Sequence, residues 1–146
     1  MPSAVEPHDA EEIRADQRII RRINPKQHVV WDKNKDCSRV SSKAFKPSSG
    51  PKGGMSVDIE AQIIEDGHNP QKYVTTPVFT GSVAFCAGEA RALGLWVGYD
   101  PLPDNPYHGE VWNSDRDRPN RFRRGQERGL HNAATWYVRL EGIEIR

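Results

Sequence analysis

The stretch from Ser82 to Trp112 constrains this chain most, because apolar runs alternate there with residues that dictate where the backbone turns. Ser82-Val83-Ala84-Phe85-Cys86 and Leu95-Trp96-Val97-Gly98-Tyr99 are short runs of the kind that form buried strands. Between them Ala87 to Leu93 offers two helical turns, and Gly94 stands where a left-handed residue closes a helix. Asp100-Pro101-Leu102-Pro103-Asp104-Asn105-Pro106 has φ fixed at each proline, which predicts a rigid, extended loop. Tyr107 to Trp112 reads as a third strand. The unit is strand, short helix, strand, proline-rich loop, strand.

The remainder extends this into an α+β reading. With 146 residues, 36% of them hydrophobic and 28% charged, the chain suits one domain with its own core. Residues 1–8 read as a flexible tail, and 9–146 as a single domain. Asp9 and Glu12 have capping-box spacing. Acids early and arginines late then predict a helix to about Ile23, with Ile13, Ile20 and Ile23 on one face. Gln27 to Trp31 reads as a strand and Val40 to Phe45 as a second extended segment. Lys46 to Gly54 is nearly all Pro, Ser, Gly and Lys, the composition of a mobile loop. Met55 to Ile63 alternates apolar and polar residues, which predicts a strand near Val57 passing into a helical turn after Asp58. Gly67 to Pro77 reads as a loop. A helix is expected from about Leu130, with strand propensity at Thr135 to Val138, closing at Gly142 before an edge strand at Ile143 to Ile145. The expected architecture is a small mixed or antiparallel sheet packed by an N-terminal helix, a short central helix and a C-terminal helix.

Composition excludes several classes. Net charge is +1, so the whole molecule is no general polyanion binder. No apolar run is long enough to span a bilayer, and the acidic N-terminus does not read as a secretory signal. Two separated cysteines, Cys37 and Cys86, give no disulfide framework, so the expectation is a cytoplasmic protein with no membrane partner.

Few chemistries have a complete motif. His108-Gly109-Glu110 places both side chains on one strand face, but the cysteines that complete a deaminase-type zinc site are missing. No metal and no cofactor is expected. Gly50-Pro51-Lys52-Gly53-Gly54 lacks the ending of a P-loop. Its backbone N–H groups, with Lys46 or Lys52, can still cradle a phosphate, and a solvated connector is the plainer use. Ser41 and Ser42 lack a nucleophile-elbow context. From Asp115 to Arg128 there are six arginines against two aspartates and one glutamate. Arg116, Arg118, Arg121, Arg123, Arg124 and Arg128 surround Phe122 and Asn120, a composition suited to phosphate contact and base stacking.

Ser41-Ser42-Lys43-Ala44-Phe45-Lys46 followed by Met55-Ser56-Val57-Asp58, then Ala90-Arg91-Ala92-Leu93-Gly94 followed by Asp100 to His108, together with Arg21-Arg22-Ile23, resemble a family of short, uncharacterised bacterial proteins. The resemblance implies a bacterial, cytoplasmic, single-domain protein and carries no activity with it. It directs attention to Ser41, Ser42, Asp58 and His108 as catalytic candidates.

Three functions are compatible with these residues. The first is a small accessory or binding module that recognises a protein partner, with tryptophan, tyrosine and arginine as anchors. The second is nucleic-acid binding through residues 116–128. The third is a metal-independent transferase or hydrolase acting on a nucleotide-like substrate.

Overall fold

A computed structural model describes residues 5–49 and 53–146. In chain order the elements are β1 (Arg18–Ile23), α1 (Pro25–His28), β2 (Val29–Asp32), β3 (Cys37–Val40), β4 (Met55–Ile59), α2 (Glu60–Glu65), α3 (Pro70–Val74), β5 (Gly81–Cys86), α4 (Ala87–Ala92), β6 (Leu95–Tyr99), β7 (His108–Asn113), α5 (Arg124–Ala133), β8 (Thr135–Val138) and β9 (Ile143–Glu144). A 3₁₀ turn at Ser42–Ala44 follows β3. Six strands form one antiparallel sheet in the order β6-β7-β4-β1-β5-β8, and β2-β3-β9 form a second, mixed sheet. The protein is thus α+β and predominantly sheet. Among the described residues no helix is long and apolar enough to cross a membrane.

The large sheet buries both faces unequally. Ile19, Ile23, Met55, Val57, Ile59, Val83, Phe85, Val97 and Val111 form the main core. It is closed by Val40 and Phe45 near the second sheet, by Ala87 and Ala90 of α4, and by Leu130 of α5. On the opposite face a smaller cluster of Ile20, Ile63, Val74 and Tyr107 lies under α2 and α3.

The N-terminal helix is not formed. Arg18–Ile23 is a central strand, paired to β5 along its whole length and to β4 at Ile19 and Ile20. Isoleucines at 19, 20 and 23 fill both faces of the sheet, and β-branched residues suit a strand better than a helix. Asp9 is no N-cap. Its carboxylate accepts from the Val97 backbone N–H at 3.0 Å and pairs with Arg91, so residues 9–10 lie along β6 instead.

Further expectations change. The helix expected from Leu130 begins earlier, at Arg124, and ends at Ala133. Thr135-Trp136-Tyr137-Val138 then follows its strand propensity and pairs with β5. The proline-rich loop folds back rather than extending: Leu102 and Asn105 exchange backbone hydrogen bonds at 3.0 and 3.1 Å, with Pro103 just after Leu102, where its φ suits a tight turn. Asn69-Pro70 starts helix α3 inside the supposed loop, because Asn69 Oδ1 accepts from the Lys72 N–H and proline suits the first helical position. Val40 to Phe45 is extended only as far as Ser41.

The sequence reading of Ser82 to Tyr99 and of the strand-to-helix change after Asp58 agrees with β5, α4, β6, β4 and α2. Gly94 has φ +79. Of the loop 46–54, Ser48 and Ser49 donate to the Gly54 carbonyl, while residues 50–52, including Lys52, lie outside the described residues. The same holds for residues 1–4 of the tail. His8, in the described part of the tail, accepts from the Tyr99 N–H.

Candidate functional site

Strands β4 and β7 run side by side, and their alternation sorts residues by face. Ser56 opposes Glu110 and Asp58 opposes His108, so these four side chains project from the same face. From β1, Ile20 opposite Asp58 brings Arg22 to that face as well. A row of polar groups therefore occupies a largely buried surface: Glu110 is fully buried, and Asp58, Asp100 and His108 nearly so. Ser56 keeps partial solvent contact.

Ser56 Oγ lies 2.6 Å from His108 Nε2. His108 Nδ1 lies 2.8 Å from the backbone carbonyl of Asp100 and 3.2 Å from its carboxylate Oδ2. A carbonyl oxygen can only accept, so Nδ1 carries a hydrogen. In the neutral ring Nε2 is then the lone pair that meets the serine hydroxyl. This is the tautomer that a general base requires. The Asp100 N–H in turn donates to the His108 carbonyl at 3.0 Å, so the two residues hold each other at the mouth of the β6–β7 hairpin.

Asp58 has a different role. Arg22 grips both its oxygens, Nε to Oδ2 at 2.8 Å and Nη2 to Oδ1 at 3.0 Å. Asn105 Nδ2 donates to Oδ1 at 2.8 Å, and the Tyr73 hydroxyl donates to Asn105 Oδ1. Such a carboxylate orients cations and amides rather than transferring protons.

Glu110 Oε1 accepts from the Gly54 N–H at 3.1 Å, and Oε2 has no partner among the described residues. Asp100, His108 and Glu110 bring one ligand atom each within 4.8 Å of one another. Carboxylate and imidazole are ligands for zinc or manganese. A cation held through Nδ1 would displace its hydrogen and turn Nε2 into a donor toward Ser56, and one held through Nε2 would take the lone pair from Ser56, so the two uses of His108 exclude each other.

Arg21 points to the opposite face and is 7% exposed. It fills the gap where β1 and β4 diverge, donating to the carbonyls of Ala44 and Ser56, both at 2.8 Å, and to Ser48 Oγ at 3.2 Å. Burial lowers its pKa to about 10, against the pull of Asp58. Ser48 Oγ also accepts from the Ser56 N–H. The loop before β4 is thus tied to the backbone of the serine.

Of the catalytic candidates read from sequence, Asp58 and His108 stand opposite each other. Ser41 and Ser42 do not join them. Ser41 Oγ caps the 3₁₀ turn by accepting from the Lys43 N–H, its own N–H donates to His28, and no contact among the described residues links either serine to His108. Of the phosphate-contact candidates, Lys46, Arg118, Arg121 and Arg123 line one pocket of about 670 Å³. Arg116, Arg124 and Arg128 are exposed outside that lining. Sequence reading misses Ser56 and Asp100. The alternation of Ser56 and Asp58 with Met55 and Val57 marks their shared face, but nothing local names the strand beside it.

No protein-family model, curated protein or solved structure matches this chain. The fold and site define an α+β protein with a serine–histidine pair on one sheet face and a separate basic pocket.

Proposed function

We propose that this protein is a serine-dependent hydrolase or group transferase. Ser56 is the nucleophile, His108 the general base and then acid, and Asp100 the residue that orients the imidazole. The 2.6 Å approach of Ser56 Oγ to a histidine whose other nitrogen is already committed to Asp100 carries this reading. Ser56 Oγ attacks the carbonyl carbon of an ester or amide while Nε2 takes the hydroxyl proton. The Asp100 carboxylate, 3.2 Å from Nδ1, stabilises the imidazolium. Collapse of the adduct breaks the bond to the leaving group, which receives the Nε2 proton. Water or an acceptor hydroxyl then attacks the acyl-serine, again through Nε2, and frees Ser56.

The test is labelling with a fluorophosphonate, in which the serine oxygen displaces fluoride from phosphorus. The folded protein should gain one adduct, mapped to Ser56. Ser56→Ala should gain none, and His108→Gln should label at least ~100-fold more slowly. No adduct on the folded protein, or equal labelling of Ser56→Ala, overturns the proposal. The protein-partner reading draws on less: among the described residues the exposed large apolar side chains are Val5, Val30, Trp31, Ile64 and Val78, of which Val30 and Trp31 are neighbours in sequence.

A further inference from the structure

The arginines outside residues 116–128 are engaged. Arg18, Arg22, Arg39 and Arg91 pair with Glu60, Asp58, Asp32 and Asp9, and Arg21 and Arg146 donate to backbone carbonyls. The pocket beside α5 differs. Among the described residues no hydrogen bond or ion pair engages the side chains of Lys46, Arg118, Arg121 or Arg123, yet all four line it. The lining adds only two carboxylates, Asp115 and Glu127. Four cations facing two carboxylates leave an excess of positive charge in one pocket. A ligand that carries negative charge balances that excess.

The arginine segment is shaped before any ligand arrives. Asn113, 3% exposed, donates its N–H to the Pro119 carbonyl at 2.7 Å and its Nδ2 to the Arg121 carbonyl at 2.8 Å. Its Oδ1 accepts from the Asp115 N–H and from Gln126 Nε2. Gln126 Oε1 accepts from the Arg123 N–H at 2.8 Å. One buried amide pair therefore sets the backbone at Arg121 and Arg123 from beneath. A framework fixed in advance lowers the ordering cost of binding.

We propose that this pocket binds a phosphorylated nucleoside, free or as the terminal residue of a nucleic-acid strand. Guanidinium groups match phosphate oxygens in geometry and charge. Phe122, also in the lining, supplies a ring on which a base can stack. The volume of about 670 Å³ lies within the span usual for small-molecule sites. The site does not depend on the serine chemistry proposed above.

Fluorescence anisotropy at low and at moderate salt, with labelled ATP and with a 5′-phosphorylated, 3′-labelled oligouridine, tests this. At least one probe should bind saturably at low salt and more weakly at moderate salt. Arg121→Gln and Arg123→Gln should each weaken binding at least ~10-fold. Arg128→Gln, in the same segment but outside the pocket, should change it less than ~2-fold, and Ser56→Ala should leave it unaltered. All three arginines are exposed, and each variant should melt within a few degrees of the wild type, which thermal melts check. Tighter ATP binding identifies a free nucleotide; tighter oligouridine binding identifies a strand end; either supports the site. No saturable binding of either probe at low salt, wild-type binding by the Arg121 and Arg123 variants, or equal loss in Arg128→Gln overturns it.

Discussion

Arg21 shows how one residue can decide whether two strands separate cleanly. Strands β1 and β4 pair only at Ile19–Ile59 and Ile20–Asp58. Beyond that point the Arg21 guanidinium supplies donors to the carbonyls of Ala44 and Ser56 and to Ser48. Unsatisfied buried acceptors are costly. Arg21→Met keeps much of the volume but removes these donors, and should lower stability by about 3 kcal/mol in urea denaturation. A loss below about 0.5 kcal/mol, the size of an ordinary surface change, would show that the guanidinium is not what holds the gap. Ser56 owes its reactivity to a distant partner. As a residue type on an exposed-looking strand position it is unremarkable; its chemistry comes from His108, 52 positions away.

Elements here begin and end where local chemistry says they should, except where tertiary pairing competes. Helix α4 stops at Leu93 because Gly94, with φ +79, takes the left-handed conformation. Gly94→Ala should therefore cost about 1 kcal/mol. Gly125, in the first turn of α5, has open space around its Cβ position and no left-handed φ. Gly125→Ala should raise stability by about 0.5 kcal/mol, since alanine loses less backbone entropy in a helix. Paired chemical melts of the two variants check both signs together. Competition decided the two ends of the chain. Residues 18–23 carry charge ordering that favours a helix, but Ile19, Ile20 and Ile23 are worth more between two layers of core.

For the whole molecule, a buried histidine and a half-buried one make stability depend on pH. Burial, and then the charge of Arg21, lower the His28 pKa from 6.5 to about 4. Its Nδ1 accepts from the Asn24 N–H at 3.0 Å, a contact that protonation would break. Burial also lowers the His131 pKa. The unfolded chain takes up protons at these rings below about pH 6.5 while the folded protein does not. Stability is therefore full above that pH and falls as the pH drops toward 4. His28 contributes a loss of ~2 kcal/mol, the full linkage value being reduced for partial solvent screening. Thermal melts between pH 7 and pH 5 should show this decline, and His28→Gln should flatten it. An unchanged slope in His28→Gln would remove His28 from the account. Charge is segregated over the molecule: a net charge of +1 coexists with a pocket in which four cations face two carboxylates.

What the sequence determined alone was local. Alternation and glycine placement set β4, β5, α4 and β6, and the arginine-rich composition of 116–128 set a basic surface, because those properties depend on neighbours within a few residues. The polar pattern around Ser56, Asp58, His108 and Glu110 was visible as two separate strand faces. Only the tertiary structure laid β4 against β7, which converts those faces into one row and gives His108 its serine. It alone brought Lys46 to Arg118, Arg121 and Arg123, and it alone turned residues 18–23 from helix to strand. Register and strand order are long-range choices, made by which apolar faces can be buried together, and no window of a few residues contains that information.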